Sequence, residues 1–316
     1  AQARALGTPA SALRAAVADG RLTRLWPACY IPTQLWEELP PQQRALAIHY
    51  AFHAKTGARI TYSHTSAALA HGVSLLRVPQ ELHLAGDPKP GYRHRSLRTH
   101  RLPDVATHRV RTDLDLPATS LEQTALACAR TLPMLDALVV LDQLAARRVD
   151  PTRLAHLLRT SPGTHGNQQA LLAVGAADAR AGSPAETLTR WRLREAGLPE
   201  PELRIEVRTS QGRSFLDLGW PQLRVAVEVD GRIKYTDYGP TQEVLIAERE
   251  REKRIQNVGW LIRRTGWHEQ SRGPRDFFVE LAHCLLAQQL LLGLPPLDLD
   301  RVRRRVARMQ PIFPPR

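Results

Sequence analysis

Three carboxylates stand where a strand-forming sequence has least use for them. In "SFLDLGWPQLRVAVEVDGRIKY" (214–235), Asp217 lies in one apolar run, and Glu228 and Asp230 lie in the next. Along 223–230 the period of two sends Val225, Val227 and Val229 to one face and Arg224, Ala226, Glu228 and Asp230 to the other. Reading Pro221-Gln222 as a two-residue hairpin loop pairs Trp220 with Leu223. Asp217 then falls opposite Ala226 and diagonal to Glu228, about 7–8 Å away between backbones. Both carboxylates can then reach one ion. An acid inside a valine strand faces either solvent on an open sheet or a compensating cation.

Helices and strands must carry these groups. "SPAETLTRWRLREAGLP" (183–199) has Ser183 as N-cap, Pro184 at the first helical position and Glu186 three residues after the cap, with an apolar face up to Gly197. Glu186 therefore either completes a capping box or lends a third carboxylate to the ion. Strands are expected at 203–208, 214–220 and 223–229, then a helix from Pro240 to about Val258 and a fourth strand, "WLIRRT" (260–265). The order is αβββαβ. On the second helix Val244, Ala247, Ile255 and Val258 form a stripe that also contains Glu248 and Arg251, so charged residues face inward. The rest of "EREREKR" (248–254), Lys253 included, reads first as a solvated face with i,i+4 ion pairs.

Glu186 on a helix, Asp217 on one strand and Glu228-x-Asp230 on the next resemble the PD-(D/E)xK nuclease pattern. "DLGWPQLRVAVEVDGRIKY … EREREKRIQNVGWLIRRTGW" is similar to domains related to very-short-patch-repair endonucleases, which in actinobacteria follow AbiEi-antitoxin-like N-terminal regions. "LRAAVADGRLTRLWPACYIP" (13–32) is similar to such a region, and "TYSHTSAALAHGV" (61–73) shares the likeness more weakly. The resemblance implies hydrolysis of a DNA phosphodiester assisted by Mg2+ or Mn2+. Asp217 and Glu228 would ligate the ion, with Glu186 contributing directly or through water. It also places a lysine two positions after the acidic strand residue, where this chain has Asp230. Lys234 just past the Asp230-Gly231 turn, or Lys253 or Arg251 on the next helix, would then replace it, with Glu248 in support. Asp230 is either a further ligand, an ordinary turn residue, or the mark of a degenerate enzyme that binds DNA without cutting it. The antitoxin likeness implies a DNA-binding regulator with a cognate toxin as the alternative function.

Composition agrees with a polyanionic partner. The chain has 316 residues, with 44 Lys plus Arg against 31 Asp plus Glu and a formal net charge of +13. Such a surface attracts nucleic acid first and anionic membranes second. Three cysteines without metal or disulfide spacing fit a reducing cytoplasm. No apolar run is long enough to span a bilayer, so no membrane partner is expected. A chain that begins with Ala1 is expected to lack some N-terminal sequence.

The expected class is α+β, with a winged-helix-like unit at 1–40, a mixed α/β middle at 41–160, a linker at 161–182, a restriction-endonuclease-like αβββαβ domain at 183–295 and a basic tail at 296–316. In the first unit a helix over 11–19 ends at Gly20, and "RLTRLWPACYIP" (21–32) has the pattern of a hairpin or wing. Arg14, Arg21 and Arg24 are its candidate DNA contacts. In the middle, "GYRHRSLRTHR" (91–101) makes a basic strip with Arg95 and Arg98, equally readable as a solvated strand edge. His64, His71, His94, His100 and His108 show no metal-ligand spacing and read as surface or packing residues. A broad apolar face over 273–295 suits covering the sheet or homodimerisation. Arg303, Arg304 and Arg305 in the tail would add salt-sensitive affinity for phosphates, or merely solubilise it.

Overall fold

A computed structural model describes residues 9–57, 60–87, 96–161, 163–230 and 242–313, without the side chains of 242–245. The fold is α+β and divides into two compact units, 1–177 and 178–316. No described helix is long and apolar enough to cross a membrane.

In the first unit, helix α1 (Ala10–Ala18) precedes an antiparallel hairpin of β1 (Leu22–Trp26) and β2 (Cys29–Pro32), as the helix-then-hairpin pattern predicts. Helix α2 (Thr33–Glu38), unforeseen, follows at once. Helix α3 (Pro41–Thr56) has its proline in the first turn, where no N–H is needed, and stops at Gly57, φ +63°. Residues on both sides of the boundary expected near residue 40 fall in the same compact unit. Trp26 packs edge-on against Phe52 of α3 at 5.1 Å between ring centroids, and the Cys29 thiol donates to the Ala51 carbonyl at 3.3 Å. Aromatic residues on both sides of the Pro40-Pro41 step close one core across it.

Next come α4 (His64–Ala70), the parallel pair β3 (Leu82–Ala85) and β4 (Leu97–His100), α5 (Val105–His108), and the antiparallel pair β5 (Arg109–Arg111) and β6 (Pro117–Thr119). A helical layer follows: α6 (Leu121–Thr131), α7 (Met134–Ala146), α8 (Pro151–Arg159) and α9 (Asn167–Ala176). This last helix occupies residues 167–176 of the linker expected at 161–182. Its polar start, "NQQ", conceals a small-residue stripe in which Ala170, Ala173 and Val174 are buried against Ala125, Leu141 and Leu144.

In the second unit, α10 (Pro184–Ala196) precedes β7 (Glu202–Thr209), β8 (Gly212–Trp220) and β9 (Val225–Asp230). Helix α11 (Gln242–Asn257) and β10 (Leu261–Gly266) complete the αβββαβ order. The sheet runs β10-β9-β8-β7, with β10 and β9 parallel and the other pairs antiparallel. One face buries Val225, Val227 and Val229 with Leu193 of α10 and Phe278, Leu281 and Leu285 of α13 (Arg275–Leu291), which follows α12 (Trp267–Arg272). The other buries Ala226, Leu216 and Ile205 with Ile255 of α11. The alternation along β9 fills both cores.

The expected basic tail is an amphipathic helix, α14 (Leu299–Ala307), capped by Asp298, whose carboxylate accepts from the Arg301 N–H at 2.9 Å. Val302, Val306 and Met309 are buried in the first of these cores. Arginines separated by valines four apart make a helix face, which charge counting alone reads as a free arm. The wholly buried Arg192 of α10 fastens this end by donating to the carbonyl of Gln310 at 2.6 Å.

Candidate acidic site on the four-stranded sheet

The turn between β8 and β9 differs from the two-residue loop expected from sequence. Pro221–Leu223 form one turn of 3₁₀-helix and Arg224 follows with φ 50°, so Trp220 pairs with Val225 rather than Leu223. Proline starts the tight turn readily, and a left-handed residue returns the chain to the sheet. The register moves by two residues, which keeps every side chain on its face. Ladder pairs run Trp220↔Val225, Gly219↔Ala226 and Leu218↔Val227, and the ladder ends there, one residue short of Asp217 and Glu228. Asp217 and Glu228 thus flank the last ladder pair of β8 and β9.

At Asp217 the sheet changes character. Across β7, Leu203 pairs with Leu218 and Ile205 with Leu216, and between them Arg204 adopts φ 53°. This kink turns Leu203 and Leu218 into one core and Ile205 and Leu216 into the other, although residues two apart on a regular strand share a face. On the β9 side, the Val229 N–H donates to Oδ2 of Asp217 at 2.8 Å. A side-chain carboxylate thus takes the place of a strand carbonyl where β8 and β9 part.

Glu228 is 7% exposed. Its Oε1 accepts from Arg251 of α11 at 2.6 Å and its Oε2 from Arg264 of β10 at 3.2 Å. Arg251 also donates to both oxygens of Glu248, at 3.0 and 2.8 Å, and to the Phe215 carbonyl at 3.3 Å. Arg264 reaches Glu248 at 2.9 Å and Glu252 at 3.1 Å. Three glutamates share two guanidiniums, an acidic excess before Asp217 is counted. Burial pushes the Glu228 carboxyl up, Arg251 and Arg264 pull it back, and the charge of Asp217 adds to the rise. Hydrogen bonding from Arg251 holds the Glu248 carboxyl below its usual value, and the same bond raises the guanidinium of Arg251.

The structure therefore gathers Asp217, Glu228, Glu248 and Arg251, the inward charges of the sequence reading. Glu186 takes the capping role. Its N–H donates to Ser183 Oγ at 3.2 Å, while its carboxylate accepts from the Gly182 N–H at 2.8 Å and the Ser183 hydroxyl at 2.9 Å. Asp230 is exposed at the end of β9, in register with Gly266 of β10, and Lys253 is exposed on α11. Lys234, Arg95 and His94 lie outside the described residues. Arg14 on α1, Arg24 on β1 and Arg98 on β4 are exposed, and Arg21 is exposed but paired with Asp19 at 2.7 Å. Arg303, Arg304 and Arg305 are exposed on α14, where Arg303 lies 3.5 Å from Asp300.

Sequence reading missed Arg264 and Glu252. Pairing "LIRRT" in parallel with "VAVEV" sets Arg264 beside Glu228, a signal available once β9 and β10 are taken as neighbours. It also missed that His64 and His100, read as unrelated surface or packing residues, meet each other and His83. Their spacing on three separate elements has no short-range signature. His71 keeps the packing role expected of it, with Nε2 2.7 Å from the Thr119 carbonyl.

No family model matches the chain. Two uncharacterized proteins of Mycobacterium tuberculosis, MT2308 of strain CDC 1551 / Oshkosh and Rv2248 of strain ATCC 25618 / H37Rv, are each 29% identical to it over 147 residues, covering 46% of this chain and 53% of theirs. The chain thus spans about half the length of the curated relatives it matches. Among solved structures, the crystal structure of the RV2827C protein from M. tuberculosis aligns over 57% of this chain and 67% of its own at 21% identity, with a TM-score of 0.32.

Proposed function

We propose that the second unit is a metal-dependent DNA endonuclease that hydrolyses a phosphodiester at the Asp217–Glu228 site, with the basic surface of the chain placing it on the duplex. The observation that carries this reading is Asp217 at the end of the β8–β9 ladder, its Oδ2 accepting from the Val229 N–H next to Glu228 and its charge acting on that buried carboxyl. The donor set fits a hard divalent ion. Carboxylate oxygens suit Mg2+ or Mn2+, and the charge of Asp217 acting on the buried Glu228 is a repulsion that a dication relieves. When bound, such an ion stabilises charge on the phosphate and acidifies a water. Asp217 and Glu228 would hold it.

Arg251 and Arg264 do what the resemblance assigns to a lysine. Their guanidiniums neutralise Glu228 in the free protein and present planar donors that match phosphate oxygens when DNA arrives. Glu248 and Glu252 orient them. Glu186, with both oxygens used at the start of α10, sets the helix rather than the reaction.

Supercoiled plasmid incubated with the full chain and Mg2+ or Mn2+ should be nicked or linearised, and Asp217→Asn and Glu228→Gln should each abolish cutting. Equal cutting by all three proteins would discard the site. A second reading is a DNA-binding regulator of the antitoxin kind with a degenerate nuclease site. Two observations favour it: both oxygens of Glu228 are already paired with arginine, and Asp230 stands where the resemblance puts a lysine. Gel shifts of DNA with no cutting under either metal would select that reading.

A further inference from the structure

Three histidines of the first unit converge from separate elements. His64 opens α4, His83 lies in β3 and His100 ends β4. In the parallel register His83 pairs with Arg98 and Ala85 with His100, so His83 and His100 stand two residues apart on one face of the ribbon. One ring nitrogen from each of the three lies within 4.8 Å of the other two. Nδ1 of His83 is 2.9 Å from Nε2 of His100, and the rings of His64 and His100 stack at 3.6 Å between centroids.

We propose that His64, His83 and His100 form a transition-metal site, with Zn2+ as its ion, that leaves a fourth coordination position open.

Packing alone accounts poorly for the arrangement. A stack of three imidazoles buries polar nitrogens that apolar rings would not. Burial first, and the charge of Arg98 with it, favour the neutral form of all three rings, the state in which imidazole offers a lone pair. His64 also adopts φ 49°, a left-handed conformation unfavourable for a non-glycine residue that clusters at ligand clamps.

Ser63 Oγ lies 3.1 Å from Nδ1 of His64. If Nδ1 donates to it, Nε2 is left for a metal, the outer-shell arrangement that ligating histidines use. Zn–N bonds of about 2.0–2.1 Å in a tetrahedron put ligand nitrogens about 3.3 Å apart. The His83 and His100 nitrogens part by a few tenths of an ångström, the ring that donates in their hydrogen bond moves that proton to its other nitrogen, and the His64 ring turns out of its stack so that its lone pair meets the ion.

Three neutral nitrogens select Zn2+ and its late first-row neighbours over Mg2+ or Ca2+, which take oxygen. Arg98, which faces all three rings electrostatically, disfavours a bare dication and favours an anion in the fourth position, hydroxide or chloride. No carboxylate joins the ligand set among the described residues. The site is thus chemically distinct from the acidic site of the second unit.

The untagged full chain, stripped with a chelator and titrated with ZnCl2 by calorimetry in excess Mg2+ to occupy the acidic site, should bind one equivalent. His83→Gln and His100→Gln should each weaken binding at least tenfold. Because a ligand variant can fail to fold, imidazole 15N shifts of the wild-type chain give an independent readout, and the ring nitrogens of all three histidines should move on adding Zn2+. The proposal is overturned by no binding, by binding that survives both glutamine substitutions, or by unmoved ring shifts at saturating metal.

Discussion

Glu228 is the residue on which the acidic site turns, because its burial and its pairing act in opposite directions. Desolvation penalises its charge, while Arg251 and Arg264 restore it. Glu228→Gln removes the carboxylate together with its desolvation cost, and an amide oxygen can still accept from one guanidinium. Its effect on stability in a urea titration should stay within about 1 kcal/mol of wild type. Arg251→Ala is the harsher change. It leaves Glu228 with Arg264 alone and Glu248 without its main donor, and it should cost about 2 kcal/mol, less than for a fully enclosed pair because the Arg251 side chain keeps 26% exposure. A destabilisation by Glu228→Gln larger than that by Arg251→Ala would show that the carboxylate is structural first. At this scale the sequence was informative: an acid among valines, and Glu248 with Arg251 on an apolar stripe, signal charges turned inward. The partner Arg264 was hidden because it arrives from a strand on the far side of a helix.

At the scale of elements, the β8–β9 turn decides which residues meet, and Gly219 is what allows it. A Cβ on Gly219 would lie 2.5 Å from the Val225 carbonyl oxygen and 2.9 Å from the Ala226 Cα, both backbone atoms that cannot swing aside. Glycine in a strand interior often marks such a close approach. Gly219→Ala should therefore destabilise the second unit by about 2 kcal/mol, and it should lower cutting beyond its effect on folding by displacing Asp217 from Glu228. Cleavage and urea midpoint both at wild-type level would mean that β9 can shift without consequence for the site. Element types were legible because periods of 2 and 3.6 alternate cleanly through 183–265, and the face of every β9 residue followed from the valines. The register did not, since Pro221-Gln222 reads equally as a two-residue loop or as the start of a 3₁₀ turn. The left-handed Arg224 that settles it has no sequence mark. Helix α9 was missed for another reason: turn-forming residues before it and polar residues at its start outweigh a short stripe of alanines.

For the molecule as a whole, the net charge of +13 was read at once, but where that charge is anchored was not. The sequence suggested a free arm at 296–316. In the structure Val302 and Val306 are buried, and the arginines between them are held on the outer face of α14. Anchored charges have a measurable consequence for the proposed DNA binding. A fixed side chain that neutralises a phosphate releases counterions, and removing one such side chain lowers the slope of log K against log salt by about 0.9. Arg303→Ala with Arg304→Ala removes two exposed guanidiniums while leaving the valine face and the Asp298 cap intact, so folding should hold while the slope for duplex DNA falls by roughly 1 to 2. Affinity should weaken alike for unrelated sequences, because phosphate contacts fix position without reading bases. An unchanged slope in a double variant of native stability would assign DNA placement to other basic residues and leave α14 the purely structural role of closing the core around Val302, Val306 and Met309.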